Sequence, residues 1–220
     1  MRLIFLSWAY PPMAYPRATQ VQRLAVHVKR RPLEIVCLAP EGDHRVRSHE
    51  PSNAIDVDRI PRALPTRILE RMLPTRKRNI LREYDVRYLW WRLAARHLLK
   101  RRPSADDVLV TFGQPMVDHL AGLAVKKCTG VRWIAHFSDP WADNPFDPKA
   151  NTKRNLERSV IEAADRVVFT SEETVDLVMS KYPETFRRKV AVLPHSFDPR
   201  VYPDVQPTGS FTIVRYLGNL

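Results

Sequence analysis

Two short segments hold most of the residues able to act on a polar substrate. The first runs from Trp8 through Tyr10, Pro11, Pro12 and Tyr15 to Arg17, and the second is His136-Phe137-Ser138-Asp139-Pro140-Trp141, followed by Asp143 and Asp147. The second segment combines a histidine, several carboxylates and an aromatic plane. Carboxylates accept hydrogen bonds from sugar hydroxyls and an aromatic ring covers an apolar C–H face, so this is a mixture that suits a sugar. His136 or Asp139 could serve as general base for an attacking hydroxyl, because burial can tune either group toward neutrality. In the first segment the chemistry rests on position: a loop that ends at a helix start, with Arg17 beside it, is placed to meet an anion. A purely structural reading stays open for both. The first segment would then be a proline-stiffened turn with a solvated Arg17; in the second, Asp139 and Asp143 would cap a turn and Trp141 would fill the core. The four-residue spacing of Asp139, Asp143 and Asp147, broken by Pro140 and Pro145, matches no cation-binding loop.

Elements that could position these segments are legible in the apolar runs. Strands are expected at Leu3–Ser7, Leu33–Leu38, Ile55–Ile60, Val108–Phe112, Val131–Phe137, Arg166–Thr170 and Val190–Leu193 in one sheet, with Thr212–Leu217 apart from it. Helical spacing joins Val21, Leu24, Ala25 and Val28; then Met116, Leu120, Leu123 and Ala124; then Leu156, Val160, Ile161 and Ala164. A last helix follows Ser171, an N-cap with Glu172 and Glu173 in the first turn. This alternation predicts an α/β fold, a Rossmann-like, doubly wound and mostly parallel sheet. Both chemistry-bearing segments then follow strands and reach the carboxyl edge of the sheet, where such folds bind ligands. Neither GxGxxG nor GxxxxGK[ST] occurs.

A basic, mainly helical insertion spans about residues 61–103. Between Arg62 and Arg102 thirteen basic residues face three acidic ones, most of the whole chain's net charge of +12. Such a stretch attracts anionic lipid or nucleic acid, and no helix-turn-helix, RRM or KH signature accompanies it, which disfavours nucleic acid; a solvated basic face packed on the core through its apolar stripe stays open beside these. The run from Pro194 to Gly209 carries four prolines and reads as a linker. Residues 1–194 thus form one domain, 195–209 connect, and 210–220 open a second with a strand entering a glycine turn. The apolar run near Met1 is too short for a secretory or membrane segment and reads as the first strand. Two cysteines, Cys37 and Cys128, offer neither a disulfide framework nor a zinc site and suit a reducing compartment.

The segments Tyr10–Arg17, His136–Trp141, Ala164–Glu173, Leu193–Pro199 and Tyr216–Leu220, in this order, resemble the succession in retaining, GT4-like glycosyltransferases (glycosyltransferase family 4) of the GT-B fold. The resemblance implies that this half holds the acceptor and a second domain holds a nucleotide-sugar donor. Pro12, Tyr15 and Arg17 would lie beside donor phosphate and acceptor. His136 or the Ser138-Asp139 pair would face the transferring sugar, and Gly218 and Asn219 would form at most the first edge of the donor site; Trp141 is a substrate-binding candidate from its aromatic plane alone. It also implies a glycan or lipid-linked acceptor, no cofactor or metal requirement, and a cytoplasmic protein resting on the anionic inner membrane surface. The donor-site residues of the family lie beyond this half, so the chain alone is expected to be inactive. Two departures matter. Ala14, Tyr15 and Pro16 stand where the family has glycines, which shifts anion binding onto Arg17. His195-Ser196 replaces an asparagine-glycine pair, so that loop receives no catalytic role. The competing reading is a basic Rossmann-like binding module without catalysis.

Overall fold

A computed structural model describes residues 1–28, 31–40, 47–50, 55–62, 68, 72–74, 77, 85–144 and 153–195. In chain order the elements are β1 (Leu3–Leu6), α1 (Pro16–Val26), β2 (Leu33–Leu38), β3 (Arg47–Glu50), β4 (Ile55–Ile60), a π-helical turn (Asp85–Trp90), α2 (Trp91–Lys100), β5 (Val108–Phe112), α3 (Asp118–Thr129), β6 (Arg132–His136), α4 (Arg154–Ala163), β7 (Arg166–Phe169), α5 (Glu172–Met179), a 3-10 turn (Glu184–Lys189) and β8 (Val190–Val192). The strands form one sheet in the order β3-β4-β2-β1-β5-β6-β7-β8. Every pairing is parallel except β3 with β4.

The seven expected strands all appear in this sheet, within a residue or so of their expected ends. β3 was not expected. Its sequence, Arg47-Ser48-His49-Glu50, has no apolar alternation, and it gains its place by antiparallel pairing at the edge. The expected strand at 212–217 and the linker beyond His195 lie outside the described residues.

Sheet order explains where the helices lie. From β1 the chain moves one way to β2; after β5 it moves the other way to β6 and β7. Right-handed crossovers in opposite directions place their helices on opposite faces. Alternation along the strands serves both faces. Ile4 and Leu6 join a core with Trp90, Trp133, Val160, Val178 and other buried residues on the side of α2 to α5, while Phe5 joins Val21, Ala25, Ile35, Val57 and Phe112 under α1. The reversal falls between β1 and β5, and the crevice at their carboxyl ends is the topological switch point.

Individual ends are well specified. Ser171 caps α5, its hydroxyl accepting from the Thr174 N–H at 3.2 Å with Glu172 and Glu173 in the first turn. Gly130, at φ 70, closes α3 in the left-handed region. α2 is fixed to the sheet by Asp58 of β4, which accepts from Arg101 and lies 2.6 Å from His97 Nε2. Residues 63–67, 69–71, 75–76 and 78–84 of the basic insertion are outside the described residues; within the rest, Ile68, Met72 and Tyr88 are exposed. Among the described residues no helix is long and apolar enough to cross a membrane.

Candidate functional site

The site gathers at the carboxyl ends of β1, β5 and β6. After β1 the chain turns through residues 7–15, held by the Leu38 N–H on Trp8 O at 3.1 Å, the Met13 N–H on Tyr10 O at 3.1 Å and Arg59 Nη2 on Pro11 O at 3.1 Å. It enters α1 with Pro16 in the first turn and no acidic residue there, which leaves the positive end of the helix dipole uncompensated. Pro12 and Tyr15 are exposed on this loop, and the Tyr15 ring meets Trp8 edge-on at 5.3 Å.

Arg17 does not reach into solvent. It is 3% exposed, because Arg17, Val21 and Ala25 share the inward stripe of α1. Its Nη2 donates to Ser138 Oγ at 2.6 Å, so the two chemistry-bearing segments meet directly. Its Nε has no acceptor. Burial lowers its pKa from the ordinary value, against the attraction of Asp139 and Asp118; a guanidinium starts so high that it remains a cation.

His136 ends β6 opposite Phe112 of β5 and is 6% exposed, with Nδ1 unpartnered. Burial, then the charge of Arg17, pushes its pKa down to about 4, so the ring is neutral near pH 7. Asp139 follows in the half-buried Ser138–Pro140 turn, where its Oδ2 accepts from Gln114 Nε2 at 2.6 Å. His195 arrives from beyond β8, with Nε2 3.3 Å from Gln20 Nε2. Arg17, Gln20, Phe112, His136 and His195 line a cavity of about 90 Å³. That is room for several waters or one phosphoryl group, well short of the roughly 300 Å³ or more of a site that encloses a drug-sized ligand.

Of the two readings open for Trp141, sugar platform or core filler, its burial fits the second. The residue is 6% exposed and packs within the core, so its ring offers no platform to a ligand. The cause is Glu157 on α4, fully buried, whose Oε2 accepts the Trp141 and Ala142 N–H groups at 2.7 and 2.8 Å. Its Oε1 accepts from Lys181 Nζ at 2.5 Å and Tyr182 Oη at 2.8 Å. A satisfied buried carboxylate thus pins the loop after β6. Asp143, at φ 58, pairs with Arg154 at 2.7 Å, and Asp147, Gly218 and Asn219 lie outside the described residues.

The geometry adds residues that motif reading passed over. Asp118, at the start of α3, is fully buried; its Oδ2 accepts from the Trp8 N–H at 2.7 Å and its Oδ1 from Trp90 Nε1 at 2.5 Å. Burial pushes its carboxyl up to about 8, against those two hydrogen bonds and Arg17. Gln114 and His195 are the others. Gln114 follows β5 at the switch point, a position that sequence could have flagged; nothing in residue type distinguishes Asp118 from an ordinary first-turn acid.

Comparison with known proteins gives this arrangement a family. Residues 18–195 match the model of the glycosyl transferase 4-like domain. No curated protein matches the sequence. Among solved structures, trehalose-6-phosphate synthase OtsA superposes with a TM-score of 0.60 at 13% identity, over 91% of this chain and 50% of that one. HepE of Anabaena in complex with UDP and glucose gives 0.57 at 13% identity, over 92% and 46%. Sucrose-phosphate synthase of Thermosynechococcus elongatus gives 0.50 at 13% identity, over 88% of each. The first two likenesses show the chain spanning about half the length of those proteins, with a shared GT-B type fold.

Proposed function

We propose, from the premise that this chain belongs to the glycosyl transferase 4-like family, that it forms the acceptor-side half of a retaining glycosyltransferase that moves a sugar from a nucleotide-sugar to a glycan or lipid-linked acceptor. The observation that carries this reading is the buried Arg17, joined to Ser138 and among the residues that line the cavity. A buried guanidinium that lines a cavity suits a phosphate oxygen.

Cleaving the bond between sugar and nucleoside diphosphate leaves negative charge on the departing phosphate. A guanidinium already fixed in place stabilises that charge without reorganising. His136, neutral near pH 7, offers a hydrogen bond to a sugar hydroxyl without adding a second positive charge. Asp139 keeps Oδ1 for the acceptor hydroxyl or the developing positive charge on the sugar, since Gln114 occupies Oδ2. Exposed Tyr15, braced by Trp8, forms the lip on the acceptor side. The cavity is too small to enclose a nucleotide, which fits a donor shared with a second domain that opens at about residue 210. HepE was solved with UDP and glucose, and a donor of that class is the one we carry over. No metal is needed in this scheme, because Arg17 supplies the positive charge.

The test uses the full-length natural protein and a panel of nucleotide-sugars, with release of nucleoside diphosphate as the signal. Loss of one preorganised charge contact is worth about 10²–10³ in kcat, so Arg17→Ala should fall by that much and Asp139→Asn should also fall, with turnover unchanged by chelator. Wild-type rates in Arg17→Ala would refute the reading.

A further inference from the structure

The loop between β5 and α3 carries a backbone outlier at the residue that holds Asp139 Oδ2. Gly113 extends the β5–β6 ladder, its N–H donating to His136 O at 2.9 Å. A Cβ there would press on its neighbours, 2.7 Å from Met116 Sδ and 3.1 Å from His119 Nε2. The next residue, Gln114, has φ 79, a region that residues with a Cβ avoid and that glycine enters freely. A glycine would relieve the backbone, yet the chain carries a glutamine. Strained backbone of this kind persists where surrounding structure or a side chain gives something in return.

The side chain shows what is given. Gln114 Nε2 donates to Asp139 Oδ2 at 2.6 Å. A carboxylate only accepts, which fixes the orientation of the amide. The left-handed turn therefore aims a neutral donor across the crevice from β5 to the carboxylate after β6. Neutrality matters here. A lysine or arginine at this position would pair with Asp139 and draw off its basicity, whereas an amide holds one oxygen in place and leaves the charge available to the other. Among the described residues, Arg17 and His195 are the charged or titratable groups shown to interact with Asp139.

We propose that Gln114 is the positioning residue for Asp139: its strained backbone and amide fix Oδ2 and present Oδ1 to the reacting sugar. This rests on the reading of Asp139 as a reacting carboxylate. The experiment measures kcat, KM for the nucleotide-sugar, the pH–rate profile and melting temperature of the full-length protein with Gln114→Gly, Gln114→Ala, Gln114→Glu and Asp139→Asn. Misplacing a reacting group by about an ångström can lower rate up to about 100-fold, so Gln114→Gly and Gln114→Ala should lose about 10- to 100-fold in kcat with KM within about 2-fold. Gln114→Gly should melt no lower than wild type, which separates positioning from folding. Gln114→Glu sets a second carboxylate against the first and should move the acidic limb of the profile up by about one unit or more. Wild-type kcat and pH profile in all three Gln114 variants, alongside an impaired Asp139→Asn, would overturn this inference and leave the proposed function standing. A fully active Asp139→Asn, or no turnover by wild type with any donor, would remove both.

Discussion

Replacing His119 should change how stability depends on pH in a way calculable from its surroundings. The ring is fully buried against Phe137, centroids 4.3 Å apart, with Nδ1 2.7 Å from Thr111 Oγ1. Trp133 Nε1 already donates to that hydroxyl at 3.0 Å, so the hydroxyl proton is available for Nδ1, an arrangement that suits a neutral ring. Burial, then His136 and Arg17, pushes the pKa down to about 3, against about 6.5 in an unfolded chain. A lowered histidine pKa means the unfolded chain takes the proton first, so stability present above pH 6.5 is lost as pH falls toward the folded value. At about 1.4 kcal/mol per unit, the loss from pH 7 to pH 5 is about 2 kcal/mol for His119 and about as much for His136. Asp118 works the other way. Its raised pKa makes the folded state hold the proton, so it returns about 2.5 kcal/mol over the same interval and leaves a net loss of about 1.5 kcal/mol. Comparing His119→Asn with wild type cancels the Asp118 contribution. The variant should be less stable at pH 7, through lost packing and imperfect contact with Thr111, and the gap should narrow by about 2 kcal/mol at pH 5. Urea denaturation of both proteins at the two pH values measures this. Parallel behaviour, with the gap constant to within about 0.5 kcal/mol, would refute the assignment of a neutral buried His119.

Two further substitutions test the supports of the site. Glu157→Ala removes the acceptor of four donors, among them the Trp141 and Ala142 N–H groups, and leaves Lys181 without its buried counter-ion. Breaking such a pair typically costs about 3–5 kcal/mol, readable as a lower urea midpoint, and the freed loop should become cleavable near residue 141 in limited proteolysis. Gly122→Ala sets a Cβ 2.6 Å from Trp133 Nε1 and 2.7 Å from Thr111 Cγ2. Overpacking of about 1–3 kcal/mol should outweigh the roughly 1 kcal/mol gained in helix propensity. A melting temperature equal to or above wild type would show that the indole yields more easily than its packing suggests.

The strands were legible because each is a short apolar run, and the topology makes such runs necessary: with helices on both faces, alternate residues of β1 serve different cores and none needs to be polar. β3 escaped since an edge strand carries no such demand. The meeting of the Trp8–Arg17 and His136–Trp141 segments was legible for the same topological reason. What each side chain does there was not. Trp141 in a loop rich in aspartate reads as a sugar platform until Glu157, sixteen residues on, draws the backbone inward. Arg17 reads as a solvated helix-start cation unless the Arg17-Val21-Ala25 stripe is followed one turn further back. Gln114 carries no motif; its place after β5 is readable from sequence, but its backbone angle is not encoded in residue type.

Asp118 explains why Arg17 is left available. Asp118 is fully buried near that guanidinium, and burial keeps its proton on near pH 7, so no internal ion pair is closed. Its two oxygens also accept from the Trp8 N–H and from Trp90 Nε1, which directs its hydrogen bonds away from Arg17. Asp139 is engaged likewise by Gln114. Each of the two acids is tethered by neutral N–H donors, and the guanidinium keeps an Nε without acceptor. That division of partners favours an incoming anion over an internal salt bridge, because the anion finds an oriented cation and displaces no carboxylate. It also ties the site to the basic insertion, since Trp90 joins the π-helical turn to α2: a movement of that segment that withdrew the indole would free one oxygen of Asp118 to turn toward Arg17.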